Sequence, residues 1–275
     1  MMEKQIKMIA LDLDGTLLNE QKAVTEHTWE VLIAAIAQGV TVLVATGRPL
    51  AGVPAVLRQF PGIRYVVTAN GARVVDQQKD KILYERLIKP EAAEKVLDIF
   101  AEYDTLREVF HNGKGYMNRV DKPDRFFEND LMKEYILTTR KPVRDLKETT
   151  WALPGGFDKV RAVFSCPQER EEAMQRMKSE KGLAVTSAIH NDIEVNLAGV
   201  NKGTALLALG ERLGIWRDEI MACGDGMNDV EMISQAGLGV AMENGVEEVK
   251  RAADHITAAN DDEGVAKAIE KFILK

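Results

Sequence analysis

The 275-residue sequence predicts an α/β fold, built on a parallel sheet and interrupted by an inserted α+β domain. Three observations carry this prediction. Short apolar strands alternate with helical-period segments near the N-terminus, and the same alternation returns near the C-terminus. The stretch between them mixes helices and strands in another order, as an α+β domain with an antiparallel sheet would.

The first strand is Ile6-Lys7-Met8-Ile9-Ala10-Leu11-Asp12, nearly continuous in apolar residues, as a strand covered on both faces must be. Thr25 can cap a helix running through Gln38, with Trp29, Leu32, Ile33 and Ile36 at helical spacing. Gly39 suits the left-handed position that ends it. The β-branched run Val40 to Ala45 follows and leads into Thr46-Gly47-Arg48-Pro49. Strand, helix and parallel strand make a βαβ unit, which normally closes right-handed. Pro49 is pre-set for an early helical position, and Pro54 marks where that helix begins.

Late in the chain, Lys202 to Gly214 is helical, with Leu206, Leu207, Leu209 and Leu213 apolar and Gly214 as its stop. The strand Ile220-Met221-Ala222-Cys223 ends at Gly224-Asp225-Gly226. A helix from about Asp229, a strand over Gly239–Met242 and a terminal helix from Gly264 complete the pattern. The middle reads as helix Pro90–Ala101, strands around Arg107–Asn118, helix Phe126–Leu137, strand Val160–Ser165, helix Glu169–Lys181 and strand Leu183–Ile189. Residues 85–189 hold 19 basic and 19 acidic side chains, so the flanks carry the whole net charge of −7. The expected division is therefore a core of residues 1–84 and 190–275 with an inserted domain over 85–189.

The acidic balance, 36 Lys+Arg against 43 Asp+Glu, argues against a dedicated nucleic-acid binder, which needs a basic footprint. Two cysteines, Cys166 and Cys223, cannot staple a chain of this size; Cys223 reads as a buried strand residue. The longest near-apolar tract, Val31 to Ala45, is broken by Gln38, Gly39 and Thr41, short of the ~20 residues a spanning helix requires. A soluble, cytoplasmic protein with no membrane partner is expected.

Four polar clusters fall at strand ends or helix starts: Asp12-Leu13-Asp14-Gly15-Thr16, Thr46-Gly47, Asn201-Lys202-Gly203 and Gly224-Asp225-Gly226-Met227-Asn228-Asp229. Ligands of open α/β sheets collect at the carboxyl ends of the strands. If the clusters converge there, they assemble four carboxylates, a lysine, a hydroxyl and several backbone donors. Crowded carboxylates need a cation, and an all-oxygen shell favours Mg2+. Zinc is disfavoured, because His27, His111, His190 and His255 lie in unrelated contexts. Lysine and backbone N–H groups supply what a phosphoryl group needs, and a carboxylate beside the metal can itself attack phosphorus. Taken singly, each cluster also reads as a polar turn, a cap or a solvated lysine; their order along the chain is what selects phosphoryl transfer.

Asp12-Leu13-Asp14-Gly15-Thr16-Leu17 resembles the DxDGT signature of the haloacid dehalogenase-like superfamily. Ala45-Thr46-Gly47-Arg48-Pro49, Val200-Asn201-Lys202-Gly203 and Gly224-Asp225-Gly226-Met227-Asn228-Asp229 resemble its other three motifs, in order. The large insertion between the second and third is similar to the Cof-type phosphatase branch. The resemblance runs essentially end to end and implies a Rossmann-like core with a cap. It also implies a Mg2+-dependent phosphatase that hydrolyses small phosphorylated metabolites, sugar phosphates or phosphorylated cofactors, through an aspartyl-phosphate.

By that resemblance Asp12 is the nucleophile and a metal ligand. Asp14 is the acid and then the base, sharing the face of Asp12 two residues along an extended chain, with its main-chain carbonyl on the metal. Leu13 N–H, Thr46 Oγ1, Gly47 N–H, Lys202 and Asn228 bind the phosphoryl group. Asp225 completes the metal ligands, and Asp229 orients Lys202 or a metal-bound water. The cap excludes water and sets specificity, with Arg107, His111, Tyr116, Arg119 and Arg125 as candidates for its inner face. Two alternatives stay open: a phosphomutase or other phosphotransferase on the same scaffold, and a phosphoacceptor signalling module.

Overall fold

The computed structural model describes residues 5–127 and 129–274. Its strands, in chain order, are β1 (Met8–Leu11), β2 (Thr41–Ala45), β3 (Ile63–Thr68), β4 (Arg73–Asp76), β5 (Lys81–Glu85), β6 (Thr105–His111), β7 (Lys114–Asn118), β8 (Arg140–Val143), β9 (Lys159–Phe164), β10 (Leu183–Thr186), β11 (Asp192–Leu197), β12 (Ile220–Gly224), β13 (Leu238–Ala241) and β14 (His255–Ile256). They form two sheets, of order β14-β13-β12-β1-β2-β3-β4-β5 and β10-β11-β9-β6-β7-β8. The chain divides into two compact units, one around each sheet.

In the first unit the strands from β14 to β3 run parallel, and β4 and β5 extend the sheet as antiparallel neighbours. β1 is central, with Leu11 beside Val44 of β2 on one side and beside Cys223 of β12 on the other. The chain steps first to one side of β1 and later to the other, so the strand order reverses there. That reversal opens a crevice at the carboxyl ends of β1 and β12, the usual ligand position in such sheets. The expected first helix spans Glu26–Ala37, capped by Thr25 Oγ1, which accepts from Thr28 N–H at 3.2 Å. Gly39 takes the expected left-handed conformation, φ +85°. Met8, Ala10, Leu43 and Ala222 pack against Leu206 and Leu209 of the helix Lys202–Leu213. Burying each such leucine is worth roughly 1.5–3 kcal/mol, which ties that helix, and the lysine that opens it, to the sheet.

The second unit comprises residues 48–53 and 86–200. Its boundary differs from the expected 189/190 because β11 pairs antiparallel with both β10 and β9, inside the smaller sheet. Ile193 and Val195 of β11 join the core under the helices Pro90–Ala101, Leu146–Ala152 and Pro167–Lys178, while Asp192, Glu194 and Asn196 alternate to the other face. Residues 48–53 join this unit because the Arg48 guanidinium lies 4.2 Å over the Tyr135 ring and Ala51 N–H donates to Gly113 O at 2.9 Å. Pro49 caps a short 3-10 turn, Leu50–Gly52, and Pro54 caps the helix Ala55–Arg58.

Other expected elements shift. Instead of one helix over Phe126–Leu137, there is a 3-10 turn Pro123–Phe126 and a helix Asp130–Thr139, capped by Asn129; residue 128 lies outside the described residues. The helix expected from Glu169 starts at Pro167, where proline fits the first turn. Of the candidate specificity residues, Arg107, His111 and Tyr116 lie on the helix-covered face of the smaller sheet, and Arg119 and Arg125 lie beyond it. Tyr116 packs into the helix-covered core, and His111 Nε2 sits 2.8 Å from Pro154 O. Arg107 has the parity of the core residue Val109, Arg119 is exposed, and Arg125 pairs with Asp104 at 2.7 Å.

The opposite face holds buried charges instead. Glu108 accepts from Arg140 at 2.9 Å and from Arg161 at 2.8 Å; Arg161 also reaches Asp192 at 2.8 Å, and Lys159 pairs with Glu194. Burial alone would raise the Glu108 pKa, but Arg140 and Arg161 outweigh it and hold the carboxyl below the usual range. Among the described residues no helix is long and apolar enough to cross a membrane.

Candidate active site

Asp12 follows the last residue of β1, and its N–H donates to Cys223 O at 3.0 Å, which continues the ladder for one more residue. The chain then turns. Leu17 N–H returns to Asp12 O and Leu18 N–H to Leu13 O, with Gly15 at φ +80°. Asp14 is therefore in a turn and not on an extended strand. Its half-exposed carboxylate accepts from Lys22 Nζ at 2.9 Å. Gly15 is required for space as well as for its φ, because a Cβ there would lie 2.3 Å from Asp225 Oδ2.

Asp225 follows β12, and its Oδ1 accepts from Thr16 Oγ1 at 2.8 Å. The loop beyond it closes on itself: Asp229 Oδ2 accepts from Asp225 N–H at 3.1 Å and Gly226 N–H at 3.0 Å. The expected helix start at Asp229 is a 3-10 turn, Met227–Asp229, with the helix at Val230–Gln235. Lys202 occupies the first position of its helix. That helix start is fixed by a capping box: Asn201 Oδ1 accepts from Thr204 N–H at 2.8 Å, and Asn201 N–H donates to Thr204 Oγ1 at 3.3 Å.

From that fixed start the fully buried Lys202 ammonium donates to Asp12 Oδ1 at 2.5 Å and Asp229 Oδ1 at 2.7 Å. Burial alone would lower its pKa, but Asp12 and Asp229 outweigh this and hold it above the ordinary lysine range. Burial also pushes the Asp12 carboxyl well up, with Asp229 and Asp225 adding to the effect against Lys202. Asp225 is pushed up to about 7, by burial first and then by Asp229.

Among the described residues Asp12, Asp225 and Asp229 each offer an oxygen, and these oxygens lie within 4.8 Å of one another. Three carboxylates around one ammonium leave a deficit of two positive charges. A hard dication with oxygen ligands fits both the charge and the donor set. Asp229 is the least available ligand of the three, since Lys202 and two N–H groups already occupy its oxygens.

Thr46 follows β2, buried, with its N–H on Val67 O at 2.9 Å and its carbonyl accepting from Asn70 N–H at 3.1 Å. Leu13 buries its side chain and turns its carbonyl to Leu18 N–H. Asn228 Nδ2 donates to Asn70 Oδ1 at 3.1 Å. The structure thus joins Asp12, Lys202, Asp225 and Asp229 in one cluster, with Thr46 and Asn228 linked through Asn70; Asp14 meets Lys22 in the adjoining turn, near enough for its charge to add to the rise of the Asp225 pKa. The motif reading assigned nothing to Thr16, Lys22, Asn70 or Asn244, whose Nδ2 holds Gly15 O at 2.8 Å. Asn70-Gly71 is the one of these with a local signal, an Asn-Gly turn dipeptide.

A family model of haloacid dehalogenase-like hydrolases matches residues 9–269. The chain is 32% identical over 271 residues to the 5-amino-6-(5-phospho-D-ribitylamino)uracil phosphatase YcsE of Bacillus subtilis, covering 98% of this chain and 96% of that protein. It is 30% identical over 280 residues to YitU, a phosphatase of the same name and organism, covering 98% and 99%. A solved haloacid dehalogenase-like hydrolase from B. subtilis superimposes with a TM-score of 0.87 at 28% identity, covering 98% of this chain and 100% of that one.

Proposed function

The chain belongs to the haloacid dehalogenase-like hydrolases and is a phosphatase of the Cof type, and we propose that it hydrolyses small phosphomonoesters with Mg2+ through an aspartyl-phosphate on Asp12. The observation that carries this reading is the Lys202 ammonium seated between Asp12 and Asp229, with Asp225 alongside. A carboxylate so neutralised can meet a dianionic phosphoryl group without prohibitive repulsion.

In the first step an Asp12 carboxylate oxygen bonds to phosphorus as the ester oxygen leaves, and Asp14 gives that oxygen its proton. For this Asp14 exchanges its Lys22 partner for the leaving group. In the second step Asp14 takes a proton from water, the water oxygen bonds to phosphorus, and the Asp12–phosphorus bond breaks to release inorganic phosphate. Thr46 Oγ1, the N–H groups of Leu13 and Gly47, Lys202 and Asn228 hold the phosphoryl oxygens. Asp12, Asp225 and the main-chain carbonyl of Asp14 would hold Mg2+, and Asp229 orients Lys202. When bound, the ion supplies positive charge where the phosphoryl oxygens gather it.

The relatives YcsE and YitU are named for a phosphorylated ribityl compound, so phosphorylated polyols, sugars and cofactor precursors are the first substrates to test. The second unit acts as the cap that sets substrate preference, in a cytoplasmic enzyme. Phosphate release from such a panel, with Mg2+ or with chelator and beside Asp12→Asn, tests the proposal. Mg2+-dependent release that the variant lacks supports it. Release that survives in the variant overturns the nucleophile, and transfer to an added alcohol without free phosphate would make the enzyme a phosphotransferase. Exchanging residues 86–200 for those of a relative should change preference while Mg2+-dependent release persists; unchanged selectivity would refute the cap assignment.

A further inference from the structure

The turn after β3 lies outside all four motif clusters, yet it touches three of them. Ala69, Asn70 and Gly71 have successive φ values of +49°, +59° and +97°, a run that side chains other than Asn rarely join. The backbone N–H of Asn70 holds Thr46 O at 3.1 Å. A Cβ on Gly71 would fall 2.2 Å from Asn201 O, so only glycine lets the turn reach the residue that precedes Lys202. The buried Asn70 side chain accepts from Asn228 Nδ2 at 3.1 Å.

We infer that Asn70 is a positioning residue, whose side-chain oxygen fixes which way round the Asn228 amide stands. The inference rests on the reading that Asn228 serves the phosphoryl group. A carboxamide presents a donor at one end and an acceptor at the other, in nearly the same shape. A phosphoryl oxygen needs the donor; the flipped amide would offer it a carbonyl oxygen. With one N–H committed to Asn70 Oδ1, the nitrogen stays on that side, and its second N–H remains for a phosphoryl oxygen. The left-handed turn thus orients a ligand-binding amide and braces the loop after β2 at the same time.

Two substitutions separate this role from mere turn formation. Asn70→Gly keeps the left-handed backbone without strain and removes only the carboxamide; Asn70→Asp keeps an acceptor oxygen at the same reach. The Asn228 side-chain NH2 resonances of the full chain, identified by their loss in Asn228→Ala, give a direct readout without substrate or metal. They are expected to shift in Asn70→Gly and to stay near their wild-type position in Asn70→Asp. Inorganic phosphate, titrated in the presence of Mg2+, is expected to bind about tenfold more weakly to Asn70→Gly. The double variant Asn70→Gly/Asn228→Ala should bind it no more weakly than Asn228→Ala alone. An unmoved Asn228 resonance in Asn70→Gly, or losses of affinity that add, overturns the inference. If Asn228→Ala leaves phosphate affinity unchanged, the phosphate role of Asn228 falls, and the resonance alone then upholds or overturns the hold of Asn70 on its amide.

Discussion

Lys202 donates to Asp12 Oδ1 at 2.5 Å although 190 positions separate the two in the chain, and the lysine is fully buried where they meet. The contact ties the carboxyl end of β1 to the first turn of the helix Lys202–Leu213. Through Asp229 Oδ1 at 2.7 Å it also ties both to the loop after β12. One cation therefore sets the spacing of two carboxylates from different parts of the sequence. It cannot balance three, and burial first, with the neighbouring carboxylates adding to it, holds the pKa values of Asp12 and Asp225 above the usual range.

Removing either member of that contact has opposite effects on stability. Lys202→Met leaves buried carboxylates without their cation and is expected to cost about 3–5 kcal/mol, read by denaturant unfolding without Mg2+. Asp12→Asn removes a charge that burial disfavours, so the metal-free variant should melt above the wild type while releasing no phosphate. A gain of stability at the expense of activity is the signature of a strained active site. A fall in melting temperature for Asp12→Asn would mean that Lys202 stabilises Asp12 more than burial opposes it.

If Asp225 holds Mg2+ as proposed, its carboxyl, pushed up to about 7 by burial first and then by Asp229, would make metal binding depend on pH. An unfolded aspartate loses its proton near pH ~4, so between about 4 and 7 Asp225 holds its proton more in the folded metal-free chain than in the unfolded one. The contribution of this carboxyl to stability accordingly falls as pH rises through that window. Mg2+ must displace the proton, so its apparent affinity should climb towards pH 7 and flatten beyond. Titration calorimetry at pH 6 in two buffers of different ionisation heat should give different enthalpies, with a smaller gap at pH 8. Equal enthalpies at pH 6 would mean that no proton leaves.

Gly15→Ala tests the close approach of two motif loops. The new methyl would lie 2.3 Å from Asp225 Oδ2, and its backbone would be held at φ +80°. The backbone penalty alone is about 1 kcal/mol. Displacement of Asp225 should add a loss of Mg2+ affinity well beyond tenfold, measured by the same calorimetry. An unchanged metal affinity would show that Asp225 moves aside freely and does not bind through that position.

The part of the site that was legible in the sequence is the part fixed by element ends. Asp12 and Asp225 follow apolar strands and Lys202 opens a capped helix, so their convergence at one crevice needs only the parallel order of the strands. The turn at Asp14 was not legible, because Gly15 bends the chain there and no two-residue period survives a turn. Asn70 was not picked out, because an Asn-Gly pair signals a turn without saying what the turn touches. The fate of β11 was also hidden. Its alternation marks a strand with one covered face, but pattern does not say which sheet it joins. The pairing of the buried charges Glu108 and Arg161 was hidden too, because only strand register brings these cross-strand partners together.

The two cysteines should differ sharply. Cys223 lies within β12, fully buried, where burial pushes its thiol up to about 12. Cys166 is part-exposed at the start of the helix Pro167–Lys178. Thiolate character and access both govern reaction with disulfide reagents. The native protein should therefore titrate one thiol and the denatured protein two. Rapid reaction of both thiols in the native protein would mean that β12 opens locally on the time of the assay.

The buried ion network of the second unit makes the last prediction. Glu108 is fully buried, and Arg140 reaches its Oε1 while Arg161 reaches its Oε2. Glu108→Ala leaves two guanidinium groups short of a partner and should destabilise the protein by about 3–5 kcal/mol in denaturant unfolding. Arg161 retains Asp192, so the harm falls mainly on Arg140. The double variant Glu108→Met/Arg140→Met should then recover much of the loss, because well-packed apolar side chains avoid the desolvation that the charges suffer. Because Arg140 and Arg161 hold the Glu108 carboxyl below its ordinary range, the stability it contributes is present above the unfolded pKa. It is lost only as pH falls through the lower, folded value. A single variant that costs less than ~1 kcal/mol, or a double variant weaker than the single, would show that the network serves a purpose other than stability.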